Sequence, residues 1–332
     1  MKQYPFVKDS ELDGFEKLTI HQPDDFEGSV VCTLIRKTAQ NRPKDVMLHV
    51  HGFNDYFFHD HLANLCFENQ IDLYALDLRK SGRSICPHHK MNNLRNIQEY
   101  FDDIMAALNI IGDLHDGKVI LSGHSMGGLI TALFTAKYQE VKPISGLFLN
   151  SPFLEQNKDI LTRKLLIPLV ATLGKHKPNL LVPGGFSKFY GPSLHRNFYG
   201  RWQYNLQWKP HVADLVNAGW VTAIYKAQQA LRAGLYLQMP VLIAYPEKSY
   251  AGFFWSAKFL QADAVVNVKH IEKYQRHIFS PAKRTVVIPN AVHDLFLSSP
   301  EVVEKTFTIL LRWVQRIQTE NQPEKLSGHD EF

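Results

Sequence analysis

The sequence of 332 residues contains no long apolar run. No window approaches the roughly 18 uninterrupted apolar residues of a membrane-spanning helix. The opening "MKQYPFVKDSELDGF" lacks the apolar segment of a secretory signal. The expectation is a soluble chain without membrane insertion. Cysteine is scarce: Cys32, Cys66 and Cys86 are an odd number without metal-like spacing, which argues against a disulfide framework and suits a reducing cytoplasm. Blocks of like charge are missing too. The net charge is +5, but Lys and Arg are scattered among acids with no basic stripe, so nucleic acid is not an expected partner. No internal repeat occurs, and no feature specifies an oligomeric state.

What is present is a rhythm. Short runs rich in β-branched residues recur at 30–35, 46–53, 72–78, 118–123, 144–152, 240–245 and 284–289. Helical patterns fit 96–114, the segment after Ser125, and 299–317. Strands alternating with helices predict an α/β domain with a mostly parallel sheet covered on both faces. The rhythm stops between residues 154 and 238, where Leu, aromatic residues, Pro and Gly replace the strand pattern. So long a connection is not a bare loop in a compact domain, and a helical cap insertion is expected there. The core is then 1–153 with 239–317, followed by a polar tail, 318–332.

Within "KVILSGHSMGGLITALFTAKY" (118–138), an apolar run breaks into Gly123-His124-Ser125-Met126-Gly127-Gly128 and resumes at helical spacing. Gly-x-Ser-x-Gly alone is a weak signal, but a strand before it and a helix after it form the tight bend that exposes a serine hydroxyl. Gly123 and Gly127 leave room for close backbones there. A serine nucleophile needs a base. His293, in "VVIPNAVHDLFLSS", follows the last strand and so lies at the carboxyl edge of the sheet, where Ser125 also lies. Its neighbour Asp294 is unsuited to orient it, because adjacent side chains seldom face each other. Charge developing on a substrate oxygen needs two backbone donors. Met126 N–H is one; Phe53 N–H, in the His51-Gly52-Phe53 turn, is the other. The pairs His49 with His51 and His59 with His61 lack the companions of a zinc site, so no metal is expected.

The segments "HGF" (51–53), "ALDLRKSGRS" (75–84), "GHSMGG" (123–128), "LNSP" (149–152), "PVLIAY" (240–245) and "AVHDLFLS" (291–298) together resemble the α/β-hydrolase superfamily. The nearest resemblance is to serine hydrolases of the monoacylglycerol lipase, lysophospholipase and serine aminopeptidase-like kind. It implies an eight-stranded, mostly parallel sheet with a cap after the sixth strand. It also implies ester hydrolysis through Ser125, His293 and an acid, with His51, Gly52, Gly123, His124 and Gly127 supporting them and no cofactor. Two departures stand out. The pattern Asp-x-Arg-Gly-His-Gly-x-Ser reads Asp77-Leu78-Arg79-Lys80-Ser81-Gly82-Arg83-Ser84, and the acid expected just past "PVLIAY" is not an aspartate. Glu247 occupies that neighbourhood, whereas Asp263 begins "ADAVVNVKHIEKY". We favour Asp263, reading "PEKSYAGFFWSAKFLQA" as an insertion that displaces the acid in sequence without moving it in space. The expected activity is a cytoplasmic ester hydrolase acting on a small-molecule ester with an apolar acyl group. The alternatives are an aminopeptidase, although cap carboxylates such as Glu155, Asp159 and Asp214 do not cluster, and a non-catalytic ligand-binding homologue.

Overall fold

Aliphatic runs with no polar face must be covered on both sides, and the helical segments between them supply that cover. The computed structural model describes residues 3–37, 45–117, 119–140, 144–213 and 215–320. Asp214 and residues 321–332 of the expected polar tail lie outside the described residues. One sheet contains β1 (Val7–Lys8), β2 (Glu16–Asp25), β3 (Gly28–Lys37), β4 (Asp45–Val50), β5 (Ile71–Asp77), β6 (Val119–His124), β7 (Ile144–Asn150), β8 (Val241–Pro246) and β9 (Lys283–Ile288). Its order is β1-β2-β3-β5-β4-β6-β7-β8-β9. Pairing is antiparallel from β1 to β5 and parallel from there to β9.

The sheet thus has nine strands where eight were expected. The extra one is the two-residue β1, too short to leave a pattern in sequence. The strand β2, "EKLTIHQPDD", was also not recognised, because near the sheet edge its residues are mostly half-buried or exposed and polar. Along the central strands, neighbouring residues enter different cores. Leu48, Leu121, Leu149 and Ile243 join one cluster, while Met47, Ile120, Phe148 and Leu242 join another. That is the two-residue period of a strand buried on both faces.

Helices α1 (Asp60–Glu68), α2 (Gln98–Leu114) and α3 (Met126–Tyr138) follow β4, β5 and β6. Between β7 and β8 the chain forms a π-helical turn (Thr162–Leu166), α4 (Ile167–Gly174), α5 (Tyr190–Leu194), α6 (Ala218–Arg232) and a small antiparallel pair, Leu181–Pro183 with Leu215–Asn217. No strand of the main sheet occurs there among the described residues. Counted from β2, this insertion follows the sixth strand. Its last helix, α6, also belongs to the sheet core, since Ile224, Ala227 and Leu231 are buried in the cluster that contains α2 and α3. After β8 comes α7 (Val268–Tyr274), and after β9 comes α8 (Pro300–Glu320), which buries Val303, Phe307, Leu310, Val314 and Ile317 along one face. Cys32 and Cys66 are buried and Cys86 is half-buried, all free, and burial pushes the Cys66 thiol up to about 12.

Candidate active site

Three loops meet at the carboxyl end of the sheet: the turn after β4, the bend after β6 and the loop after β9. Ser125 stands on the bend between β6 and α3 with φ 53° and ψ −116°, a conformation that non-glycine residues adopt only under constraint. The constraint is visible. Its N–H donates to the Asn150 carbonyl at 2.9 Å, and its own carbonyl accepts from Phe153 N at 2.9 Å and Gly128 N at 3.0 Å. A Cβ on Gly123 would lie 2.4 Å from the Gly127 carbonyl oxygen, and one on Gly127 would lie 2.4 Å from the carbonyl oxygens of Val50 and His51. Only bare backbone fits there, which accounts for both glycines around the serine.

His293 Nε2 lies 2.8 Å from Ser125 Oγ, and His293 Nδ1 lies 2.7 Å from Asp263 Oδ2. A carboxylate oxygen can only accept, so Nδ1 carries the ring proton and Nε2 offers its lone pair to the serine hydroxyl. Asp263 is itself fixed: its Oδ1 accepts from Val265 N and Val266 N, each at 2.8 Å. Its position relative to β8 is set by backbone bonds. Tyr250 N donates to the Asp263 carbonyl at 2.8 Å, and Asp263 N donates to the Lys248 carbonyl at 2.9 Å. The backbone bonds therefore fold residues 251–262 into a closed loop and return Asp263 to the level of Ser249, three residues past β8. Glu247 is not brought to the site. It is exposed, its amide donates to the Ile288 carbonyl at 3.0 Å, and both His293 nitrogens are occupied by other partners.

Met126 is the first residue of α3, so its amide has no acceptor within the helix. Across from it, a Cβ on Gly52 would lie 3.1 Å from Ser125 Cβ, which sets the 51–53 turn directly against the serine. His51 locks that turn. Its Nε2 accepts from Leu78 N at 3.1 Å, so its Nδ1 carries a proton and donates to the Gly52 carbonyl at 2.7 Å.

Behind the serine lies a buried polar cluster that sequence reasoning largely missed. Asp294 points away from His293 and accepts from His59 Nε2 and Asn150 Nδ2, each at 2.8 Å. Burial alone would raise its pKa, but attraction to His124 and His59 outweighs that and holds the carboxyl well below its usual range. Asp55 pairs with Lys209 Nζ at 2.7 Å; there too burial is outweighed, by Lys209 and His124, and the pKa falls. His124 sits between the two acids, with Nδ1 3.7 Å from Asp55 and 3.8 Å from Asp294. Asp55, His124 and Asp294 present possible metal-ligand atoms within 4.8 Å of one another, yet Lys209 and His59 already serve as partners of the two carboxylates. The other histidines are used singly. His49 bonds Ser122 Oγ at 3.2 Å and is pushed down to about 3 by burial, while His61 bonds the Phe296 carbonyl at 2.7 Å. The legible signal for Asp55 was its place two residues past Phe53. Lys209, within the insertion, had none.

Ser125 and His293 open into a cavity of about 740 Å³. Its lining includes the apolar residues Phe53, Val170, Val182, Val216 and Trp220 and the polar residues Asp55, Lys209 and Tyr204. Ser125 is therefore neither sealed nor bare.

Arg79, Lys80 and Arg83, in the segment that departs from the common pattern, are buried in ion pairs. Arg79 bonds Asp103 at 2.7 Å, Lys80 lies 2.8 Å from Glu27, and Arg83 bonds Asp9 at 2.6 Å and Asp77 at 2.9 Å. Lys80, which departs from the pattern, thus joins the end of β5 to the β2–β3 turn, while Arg79 pairs with α2 and Arg83 with the segment after β1; none of the three lines the cavity.

With this geometry in view, similarity to known proteins becomes informative. The family described as serine aminopeptidase, S33, matches residues 41–300, well over half of the chain. The protein belongs to the S33 family. Among sequence relatives of this S33 protein, a monoacylglycerol lipase of Mycolicibacterium smegmatis is 28% identical over 149 residues, 44% of this chain and 50% of that protein. Human epoxide hydrolase 4 is 31% identical over 103 residues, 31% of this chain and 27% of that protein. The chain thus spans half or less of the length of these relatives. In solved structures, a soluble variant of monoglyceride lipase from Saccharomyces cerevisiae superposes with a TM-score of 0.67 at 17% identity, covering 95% of this chain and 99% of that one. The monoacylglycerol lipase of Paleococcus ferrophilus gives 0.63 at 17% identity, covering 87% and 99%. At such identities the likeness establishes the α/β-hydrolase fold.

Proposed function

We propose that this S33-family protein is a serine-dependent carboxylic-ester hydrolase for small-molecule esters with an apolar acyl group. The observation that carries the reading is the continuous hydrogen-bonded line from Ser125 Oγ through His293 to Asp263, opening into a cavity with many apolar lining residues.

In the proposed reaction, Ser125 Oγ attacks the acyl carbonyl carbon while its proton passes to His293 Nε2. Asp263 accepts the Nδ1–H bond and stabilises the imidazolium. The carbonyl oxygen, now negative, is held by the amides of Phe53 and Met126. Collapse of the tetrahedral intermediate breaks the bond to the leaving oxygen, which takes the proton from Nε2. Water, deprotonated by the same nitrogen, then attacks the acyl-enzyme, releasing the acid and restoring the serine. Residues 154–238 serve as a cap, with Val170, Val182 and Trp220 facing the acyl chain. The similarity to monoacylglycerol and monoglyceride lipases agrees with such a substrate. The three free cysteines suit a reducing compartment, and the cytoplasm is the proposed location.

An aminopeptidase would need a free carboxylate for the substrate ammonium. Among the described residues lining the cavity, the single carboxylate is Asp55, and Lys209 lies 2.7 Å from it. Glu155 is buried between Arg163 and Arg232, and Asp159 bonds Thr162. Ester hydrolysis is the better fit. Labelling with a fluorophosphonate probe, followed by peptide mass spectrometry, should place the adduct on Ser125. Hydrolysis of aryl esters of graded chain length should then exceed that of aminoacyl amides, and the reverse order would replace this reading with the peptidase.

A further inference from the structure

The loop that returns Asp263 to the site carries a feature that ester chemistry does not use. Its roots are tied down. Trp255 stacks on Tyr199 at 3.9 Å and donates from Nε1 to Ser193 Oγ at 3.1 Å, while Ser256 Oγ bonds the Tyr250 hydroxyl at 3.1 Å. Between these anchors the tip holds Phe253 and Phe254 in solvent, 93% and 83% exposed. Two adjacent phenyl rings on a fastened loop are a fixed apolar projection rather than a slack end.

A second apolar surface flanks the same cavity. Leu161, Leu165, Leu169 and Leu173 recur every four residues along the π-helical turn and α4, exposed by between 39% and 65%. The opposite stripe is packed: Ala171 and Gly174 are buried, and a Cβ on Gly174 would lie 2.3 Å from the Ala218 carbonyl oxygen. The leucine stripe is therefore an outward face, not a core face cut open. Both surfaces continue into the cavity, since Leu166 and Val170 from one and Ala251 and Gly252 from the other line it beside Ser125. The surroundings are basic. Residues 157–188 contain Lys158, Lys164, Lys175, Lys177 and Lys188, all exposed, against one exposed acid, Asp159, while Arg163 pairs with Glu155.

We propose that Phe253 and Phe254 together with the Leu161–Leu173 stripe dock this protein on an anionic phospholipid surface, with the cavity mouth facing the lipid. An exposed apolar face of this extent marks an interaction surface. The lysines around it select lipid over a neutral partner, because lysines near a membrane are drawn to its negative surface potential while apolar side chains enter the acyl boundary. Among the described residues no helix is long and apolar enough to cross a membrane, so the attachment is peripheral. The docking stands apart from the ester reading, because it is measured without turnover.

The test is co-sedimentation of the full chain with vesicles of phosphatidylcholine, alone or mixed with phosphatidylglycerol, at low and at high salt. The protein should bind the mixed vesicles more tightly, and salt should weaken that binding. Phe253→Ser with Phe254→Ser should lower the partition coefficient at least tenfold, with an unchanged melting temperature. Lys164→Glu with Lys175→Glu and Lys177→Glu should abolish the preference for anionic vesicles. The same measurements on Ser125→Ala should match those on the parent protein. Absence of binding, or equal binding by the phenylalanine double variant, overturns the proposal. So does a concentration-dependent dimer that the double variant dissolves, since the face would then join two copies of this chain.

Discussion

Residues 293 and 294 are neighbours in sequence, yet each belongs to a different buried histidine–aspartate pair. His293 bonds Asp263 at 2.7 Å and Ser125 at 2.8 Å, while Asp294 bonds His59 at 2.8 Å and Asn150 at 2.8 Å on the other side of the loop. Both pairs are buried and both have good geometry. What separates them is the third partner. In the first pair the free nitrogen meets a hydroxyl that opens into a cavity; in the second the spare carboxylate capacity is spent on the Asn150 amide and the Phe296 backbone N–H. Burial and hydrogen bonding alone therefore do not make an active site. A pair becomes reactive when its open valence faces a group that substrate can reach.

Substitutions can break this comparison at several points. Ser125→Ala should remove the reacting group without disturbing packing, so turnover of a short aryl ester should fall by roughly 10⁴ or more with the melting curve unchanged. Retention of even a tenth of the activity would take Ser125 out of the mechanism. Asp263→Asn should come next, with a loss in kcat of roughly 10³–10⁴ near neutral pH, because the amide favours the wrong tautomer of His293.

The second pair should answer differently. Asp294→Asn replaces the carboxylate that accepts from His59 and Asn150 by a neutral amide, so it should reduce stability by roughly 1–3 kcal/mol in urea titrations while lowering kcat by less than tenfold. Its pH dependence follows from the depressed carboxyl. A carboxyl whose folded pKa lies below the unfolded value of about 3.9 contributes stability above that value, and the contribution is lost as pH falls through the lower, folded one. The parent protein should therefore lose stability between about pH 5 and 2 more steeply than Asp294→Asn does. A kcat loss as large as that of Asp263→Asn would mean that the two pairs act as one unit.

Smaller effects sharpen the picture further. Val170→Ser, in the apolar wall, should lower kcat/KM several-fold more for each two carbons of acyl chain, since each buried methylene contributes about 0.8 kcal/mol. Equal losses at all chain lengths would show that this wall only supports the fold. The smallest change is expected for Glu247→Gln, which should alter kcat by less than about twofold because exposed charges contribute little. A loss exceeding that of Asp263→Asn would transfer the orienting role to Glu247.

Much of this arrangement was legible along the chain. The strand-bend-helix around Ser125 is written in contiguous residues, because a tight bend is a local event that demands glycine where backbones touch. The core strands were visible for the same reason, as runs long and apolar enough to be buried on both faces. The edge strand β2 was less so, having only one covered face and polar residues on the other. The network of Asp55, Lys209, His124 and His59 had almost no local signature. Its members lie as far apart as positions 55 and 209, and Lys209 reaches Asp55 from the insertion while His124 and His59 meet their carboxylates from the sheet domain.

By itself, the sequence determined the alternation of strand and helix, the bend that presents Ser125, the place of His293 beyond the last strand and the interval that departs from the sheet. Those features depend on residues within one or two turns of each other. The preference for Asp263 over Glu247 and the exclusion of Asp294 could be argued along the chain, and only the tertiary structure supplied the contacts: Asp263 against His293, Asp294 against His59 and Asn150, and Phe253 and Phe254 exposed next to the cavity-lining Gly252. The reason is physical: the backbone bonds that close the 251–262 loop, from Tyr250 N to the Asp263 carbonyl and from Asp263 N to the Lys248 carbonyl, join positions whose side chains give no hint of the pairing.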